Sequence, residues 1–427
     1  MESNNSTIKD TSTDSPPPEE HWLNRNVIGM GATSFFSDAC HEMSTVVLPG
    51  FLAVMGAPAS ALGIIEGAAD AASSFIKLLG GWISDRFGNR KLIATLGYLV
   101  TGVSQSLFAF ALTWHLVLIG RVIGWFGRGF RSPITKAMLS DSVAPAYRGK
   151  AFGIHRTADT IGAFVGPLIG IGLLSFWNPG NLTDNSQPFR NVFLITLIPG
   201  ILSALVFFFS VKEKHRSPNT QLRFWRAIKS LPPDFRKYLL GVGIFGLGDF
   251  APTLLILAAT TLLTPSMGII QAAQLAGMMY IVRNIIYAIV SYPIGALGDK
   301  IGRVPILVGG YLVAVLTILG FVCAFIFQWN HPALLFFLFA LSGIYIAVED
   351  TLENAITADL TSKEIRGIGM GVLGTVNGVG DFVASSMVGL LWTMFSPAFG
   401  LGIAMLLMLC GAIILMKARI QMIQTSA

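Results

Sequence analysis

The sequence predicts an all-α membrane protein of about twelve transmembrane helices, arranged as two pseudo-symmetric six-helix bundles. Three observations carry that prediction. The first is composition: 53% of the 427 residues are hydrophobic and only 12% are charged, where a water-soluble domain carries about 25% charged residues. The second is the length of the apolar runs, which reach the roughly 20 helical residues needed to cross a bilayer core. The third is duplication. The charged turn GGWISDRFGNRK at 80–91 returns as GALGDKIGR at 295–303. Gly81, Asp85, Arg86 and Gly88 are thus echoed by Gly295, Asp299, Lys300 and Gly302, 214 positions later. Asp141 with Arg148 and Gly149 returns as Asp359 with Arg366 and Gly367, 218 positions later. Two halves built alike read as a parallel repeat.

Along the chain, residues 1–25 form a polar, proline-containing tail that is expected to be disordered and cytoplasmic. It lacks the positive start and apolar centre of a secretory signal. Apolar spans follow at about 26–54, 62–84, 91–112, 115–139, 149–175 and 190–211, which make up the N-terminal bundle, 26–211. A basic cytoplasmic linker occupies 212–237. Its Pro218, Pro232 and Pro233 interrupt helix, and Phe224 with Trp225 can rest on a membrane surface. The C-terminal bundle, 238–417, holds spans near 238–263, 269–296, 304–327, 333–359, 366–395 and 398–417, and 418–427 is a short cytoplasmic tail. The runs are too long and continuous for alternating barrel strands.

Lys and Arg crowd one alternating set of connections, with Arg190 alone in the opposite set. This asymmetry places both termini in the cytoplasm. The net charge of +6 therefore reports orientation, and no nucleic-acid partner is expected. Cys40, Cys323 and Cys410 each lie in an apolar run without metal-like spacing, so small buried side chains are the expected role.

The repeated turn after the second span of each half, GGWISDRFG and GALGDKIG, resembles the loop motif of the major facilitator superfamily. The twelve spans and long central loop agree, and the resemblance covers about 26–417. It implies a twelve-helix secondary transporter of the bacterial inner membrane, monomeric, with no cofactor and no enzymatic activity. In that family the turn's Asp caps a neighbouring helix start and its basic residue pairs with an acid after the fourth span. Carried over, Asp85 meets the helix start near Met370 and Arg86 pairs with Asp141. Asp299, Lys300, Asp359 and Arg366 are the second-half counterparts. Such contacts lock the cytoplasmic ends until the halves rock; the alternative is that the turns only fix topology by their charge. GAFVGPLIG in the fifth span resembles the family's antiporter motif, which goes with export in exchange for protons. Its Gly162, Gly166 and Gly170 share one helix face and Pro167 bends the helix, so close helix packing is an equally available reading.

An ionisable group at bilayer depth costs on the order of 2.5–3.5 kcal/mol by insertion scales, so a chain that keeps several is expected to line a cavity with them. The first span carries Asp38, His41 and Glu42 on one side, and the second carries Glu66 and Asp70 one turn apart. In the fourth, Arg121, Arg128 and Arg131 fall within a wedge of about 80° at 100° per residue. The fifth adds His155, Arg156 and Asp159. The second half has Asp249, Arg283, Glu349, Asp350, Glu353 and Asp381 instead, and Glu349 aligns with Arg131 at the repeat offset. A cavity basic on one wall and acidic on the other follows. Carboxyls and His41 are the candidates for proton coupling, with Asp38, Glu42 and Glu349 leading and Glu353 behind them. The arginines are the candidates for holding an anionic or zwitterionic solute.

Together these features predict proton-coupled antiport (efflux) of a small polar or charged organic solute. The alternatives are proton-coupled import or export of a siderophore-like or other metabolite, and a non-transporting sensor with the same fold. An enzyme has no support, since no HExxH, GxSxG or metal-ligand spacing occurs.

Overall fold

In the computed structural model the described residues are 22–87, 89–144, 147–177, 186–213, 231–361 and 366–425. Over 77–87, 148–149, 299, 366–368 and 419–425 only the backbone is described. Among them the regular structure is helical. The helices are α1 (Arg25–Val54), α2 (Ala59–Phe87), α3 (Arg90–Ser106, continued by a 3₁₀ turn at Leu107–Phe110), α4 (Trp114–Asp141), α5 (Arg148–Trp177), α6 (Gln187–Ser210), α7 (Pro233–Gly246), α8 (Pro252–Met267), α9 (Ile269–Ile301), α10 (Arg303–Ile326), α11 (Pro332–Leu360), α12 (Arg366–Met394) and α13 (Pro397–Thr425).

The thirteen helices among the described residues build twelve spans because the seventh is in two pieces, α7 and α8. The continuous run expected at 238–263 is broken at Leu247–Ala251. The cause is local: Pro252 has no N–H to continue a helix but suits the first turn of a new one. It also holds Ala251 in an extended conformation, φ −52° and ψ 135°. The Ala251 N–H is instead taken by the Ser385 hydroxyl at 2.9 Å. Other boundaries shift too. α1 begins inside the expected tail, capped by the Asn24 side chain, which accepts from the N–H groups of Asn26 and Val27. α7 begins inside the expected linker, and α13 runs past 417. Apolarity marks what a bilayer holds, not where the hydrogen-bonded helix stops. Residues 1–21 and 214–230 lie outside the described residues.

By length and apolarity alone, seven of the helices qualify as spans. Those that do not are the ion-bearing α1, α2 and α4, the broken pair α7 and α8, and α12. Their polar content is accommodated by neighbours rather than lipid. Within the halves α1 packs on α5 and α6, α2 on α4, α9 on α11, and α10 on α13. The halves meet mainly where α2 crosses α12, with α1 and α5 approaching α9.

Glycine makes the closest of these approaches possible. A Cβ on Gly63 would collide with the Ser385 carbonyl, and one on Gly67 would sit 2.8 Å from the carbonyl oxygen of Phe382. α2 and α12 therefore touch backbone to backbone. Gly63→Val is expected to cost about 1–3 kcal/mol, read as a lower unfolding temperature of the purified protein, whereas Gly172→Ala, in open space, should be silent. The Gly162, Gly166 and Gly170 stripe does the same work within the first half. A Cβ on Gly166 or Gly170 would lie 2.6 or 3.0 Å from the carbonyl oxygens of Ala39 or Met43, and one on Gly162 would strike that of Phe35. The motif thus seats α5 directly on α1. Gly302, at φ +107°, is the single residue between α9 and α10; a side chain there is strained, which explains the glycine ending the second charged turn.

Candidate functional site

A cavity of about 630 Å³ lies between α1, α4 and α5 of the first half and α9 and α11 of the second. A wider hollow of about 830 Å³ continues it toward the end that carries the charged turns, past Gly153, Thr157, Ser291 and Asn354. At the opposite end the halves close. Gln274 Nε2 donates to Ser175 Oγ at 3.1 Å, and a Cβ on Gly277 would lie 2.8 Å from both Ile171 and Val46. Access is therefore from one end.

The first-half wall is a chain of paired ions. Arg128 approaches Asp38 at 3.5 Å, and the Asp38 and Asp159 carboxyls lie within hydrogen-bond reach of each other. Ser34 donates to Asp159 at 2.7 Å and Arg156 reaches its other oxygen at 3.3 Å. From there the network crosses the cavity. Arg156 Nη2 donates to the Tyr287 hydroxyl on α9, which donates to Asp350 on α11 at 2.8 Å. Deeper in, the Tyr280 hydroxyl donates to Glu42 at 2.9 Å, a further bond between the halves. Arg283 donates to Ser342 at 2.8 Å and to Asn284 at 3.1 Å. The Arg128 guanidinium stands 4.9 Å from the centre of the Trp125 ring, within cation–π range. Charge-assisted bonds of this kind are directional and strong where water is scarce.

Of the residues expected in the cavity, Asp38, Glu42, Arg128 and Asp159 line it. The rest sit behind its wall. Arg121 is 1% exposed and grips Glu66 at 3.0 Å, with further bonds to Thr45 and Gln105. Arg131 donates to Ser37 at 2.7 Å and stacks on Tyr98. His41 lies edge-on to Trp125. Asp70 is half-buried on α2. Glu349 and Glu353 are buried in the second half, Glu353 held by Tyr311 at 2.5 Å and Asn377 at 2.7 Å. The expected division into a basic and an acidic wall is not observed. Both walls carry both signs, because a buried cation is stabilised by the nearest carboxylate and Glu66, Asp38 and Asp159 stand one helix away. Arg156, Tyr280, Arg283, Asn284, Tyr287 and Asp350 also line it. The charged ones stood out as ions within spans, but nothing in the spacing tied them to this face. The tyrosines carried no signal, since a tyrosine in an apolar helix is ordinary.

At the end with the charged turns, each half is tied within itself. Arg90, opening α3, meets Asp141, the acid expected to pair with Arg86, at 3.0 Å. The Glu213 carboxylate, just after α6, accepts from the N–H groups of Arg90 and Lys91 at 2.8 and 3.2 Å, an anion on a helix N-terminus. The repeat reproduces the first contact: Arg303, opening α10, meets Asp359 at 2.6 Å. Lys300 is exposed and Gly295 lies on α9 facing Thr351. Gly88 lies outside the described residues, and so do the side chains of Asp85, Arg86, Asp299 and Arg366.

The Major Facilitator Superfamily model matches residues 30–272 and 238–421. An uncharacterised MFS-type transporter of Methanocaldococcus jannaschii is 33% identical over 373 residues, covering 87% of this chain and 89% of that protein. Multidrug resistance protein MdtG of Escherichia coli O9:H4 (strain HS) is 28% identical over 313 residues, 69% of this chain and 71% of its own length. Among solved structures, the nucleoside transporter NupG superposes with a TM-score of 0.73 at 12% identity, covering 92% of this chain and 98% of its own. An inward-facing, occupied bacterial homologue of the lysosomal transporter Spinster gives 0.71 at 16% identity, covering 92% and 96%. At such identities these structures speak for the fold alone. The two matching stretches span nearly the whole chain, and with the archaeal relative they show that this integral membrane protein belongs to the Major Facilitator Superfamily of transporters.

Proposed function

We propose that the protein exchanges a small polar or charged organic solute for protons by alternating access, as an exporter. It does so in the cytoplasmic membrane with both termini inside, as a monomer. One observation carries this reading: a single-ended cavity whose facing walls, one from each half, both present guanidinium and carboxylate groups. Such walls suit a solute bearing an amine, a carboxylate or both. The Asp38–Asp159 contact supplies the coupling, because two carboxyls in contact hold a proton between them more readily than two negative charges. A cationic group of the solute entering beside Arg128 displaces that proton, and its departure lets the proton return. The bundles 26–211 and 238–417 are the rocking units. Swinging them breaks the Tyr280–Glu42 and Arg156–Tyr287–Asp350 bonds, while the Arg90–Asp141 and Arg303–Asp359 ties keep each bundle rigid.

A second reading keeps the exchange and changes the cargo to an amphipathic organic cation. It draws on the multidrug relative and on the apolar share of the lining, with Ile161, Phe164, Ile285 and Ile289 among the ionic groups. A thermal-shift screen of the purified protein against amino acids, polyamines, organic acids and quaternary ammonium dyes separates the two. Hits are then assayed for exchange in proteoliposomes with and without a pH gradient. Stabilisation by small polar solutes whose accumulation follows the gradient is expected. Stabilisation by dyes alone would favour the second cargo, and exchange indifferent to pH would remove proton coupling.

A further inference from the structure

The second half holds a carboxyl pair that the cavity does not use. Asp249 sits in the gap between α7 and α8 and is half-buried, while Glu349 on α11 is 7% exposed. The two carboxyls lie within hydrogen-bond reach of each other. The Tyr345 hydroxyl donates to Asp249 at 3.4 Å, but among the described residues no N–H or O–H is directed at Glu349 Oε2, which is fully buried. Two ionised carboxylates pressed together out of water repel strongly, and a shared proton converts the repulsion into a hydrogen bond.

The neighbours do not supply the missing positive charge. Facing the pair are Tyr238 from α7, Arg283 from α9, Tyr311 from α10, Tyr345, Asp350 and Glu353 from α11, and Asp381 from α12. The cation among them, Arg283, spends its described hydrogen bonds on Ser342 and Asn284. Acids outnumber it around the pair.

The repeat makes the same point independently. In the first half the acid of the first span, Asp38, has a permanent cation from the fourth span, Arg128, at 3.5 Å. Asp249 stands in the corresponding seventh span, 211 positions later, and the tenth span offers Glu349 where the fourth has Arg131. The acid of the first span in each half is kept, and at the register of Arg131, the next cation along α4 after Arg128, the second half carries a second acid. What the first half receives from a guanidinium, the second half must receive from something that can leave.

We propose that Asp249 and Glu349 form a proton-binding site separate from the solute cavity, entered through the gap in the seventh span. This deepens, and rests on, the reading of the protein as proton-coupled. Asp249, half-buried, is the point of entry and Glu349 the sequestered end. The discontinuity lets the backbone near the site adjust when the proton leaves, as broken helices do where ions bind at mid-membrane.

The test is an infrared titration of the full-length protein in lipid vesicles, with the proton as the only probe, following the C=O band of protonated carboxyl groups. Ordinary Asp and Glu, with values of about 3.9 and 4.3, are ionised at neutral pH. Beyond the Asp38–Asp159 contribution that all the variants share, the wild type is expected to keep a protonated carboxyl component at neutral pH that is missing from both Glu349→Gln and Asp249→Asn and retained in Glu353→Gln. In the amide variants the NH2 group donates where the proton stood, so the pair stays hydrogen-bonded and the fold is preserved; an unchanged size-exclusion profile checks this. An identical band in the wild type and both amide variants would overturn the site, as would loss of that component on adding sodium at constant pH. The exchange assay in proteoliposomes keeps the two claims apart. Gradient-driven exchange without that component sinks the site and leaves the coupling, whereas the component with pH-indifferent exchange sinks the coupling and leaves the site.

Discussion

Arg121→Ala is expected to lower stability by about 3–5 kcal/mol, the usual cost of stranding one member of a buried ion pair. Arg121 and Glu66 have side chains only 1% and 3% exposed. Glu66 takes three bonds from the one guanidinium, two of them at 3.0 Å, and removing it leaves a carboxylate between helices with no cation in contact. Because the penalty comes from the stranded charge, replacing Glu66 and Arg121 together by leucine and methionine should recover most of the loss. Thermal unfolding of the three proteins in the same detergent checks this. Equal midpoints for the single and double variants would mean that the pair does not contribute by charge.

The second large effect belongs to the cavity. Arg128→Ala removes the cation beside Asp38 and Asp159, a side chain 27% exposed on the cavity, and the loss of its charge-assisted hydrogen bond to a solute carboxylate costs about 1.5–3 kcal/mol. At tenfold for every 1.4 kcal/mol, solute affinity is expected to fall by roughly 10-fold or more. Asp38→Asn should behave differently: solute-for-solute exchange continues, while accumulation driven by a pH gradient is lost, because an amide cannot carry the proton. Initial rates in proteoliposomes at two pH values distinguish the outcomes. An Asp38→Asn protein that still accumulates solute against the gradient would move the coupling site elsewhere, with Glu42 the next carboxyl on the lining.

Much of the architecture was legible in the residues because a bilayer imposes a single blunt demand, that every span be apolar and helical. The repeated turns at 80–91 and 295–303 gave the two halves, and the fifth-span glycines gave a face that must meet another backbone. The break in the seventh span was not legible. Pro252 and Gly248 lie in a run apolar enough to pass as one helix, and a proline inside a helix is tolerated elsewhere in this chain, as at Pro49 in α1 and Pro167 in α5. What separates those cases is the company each proline keeps in three dimensions, here the Ser385 hydroxyl waiting for the Ala251 N–H. The Arg90–Asp141 pair was not legible for the same reason. Asp141 takes Arg90 because α3 begins beside the end of α4, a fact of packing that no spacing encodes.

From its residues alone this chain is a duplicated, twelve-span, all-helical membrane protein with ions at bilayer depth, because hydropathy and repetition are properties of the one-dimensional string. Which of those ions face the cavity, which are locked in pairs behind its wall and which acids lie against each other were decided by the tertiary structure. Electrostatic energy depends on separations of a few ångströms between helices distant in sequence, and only the packed bundle sets those separations.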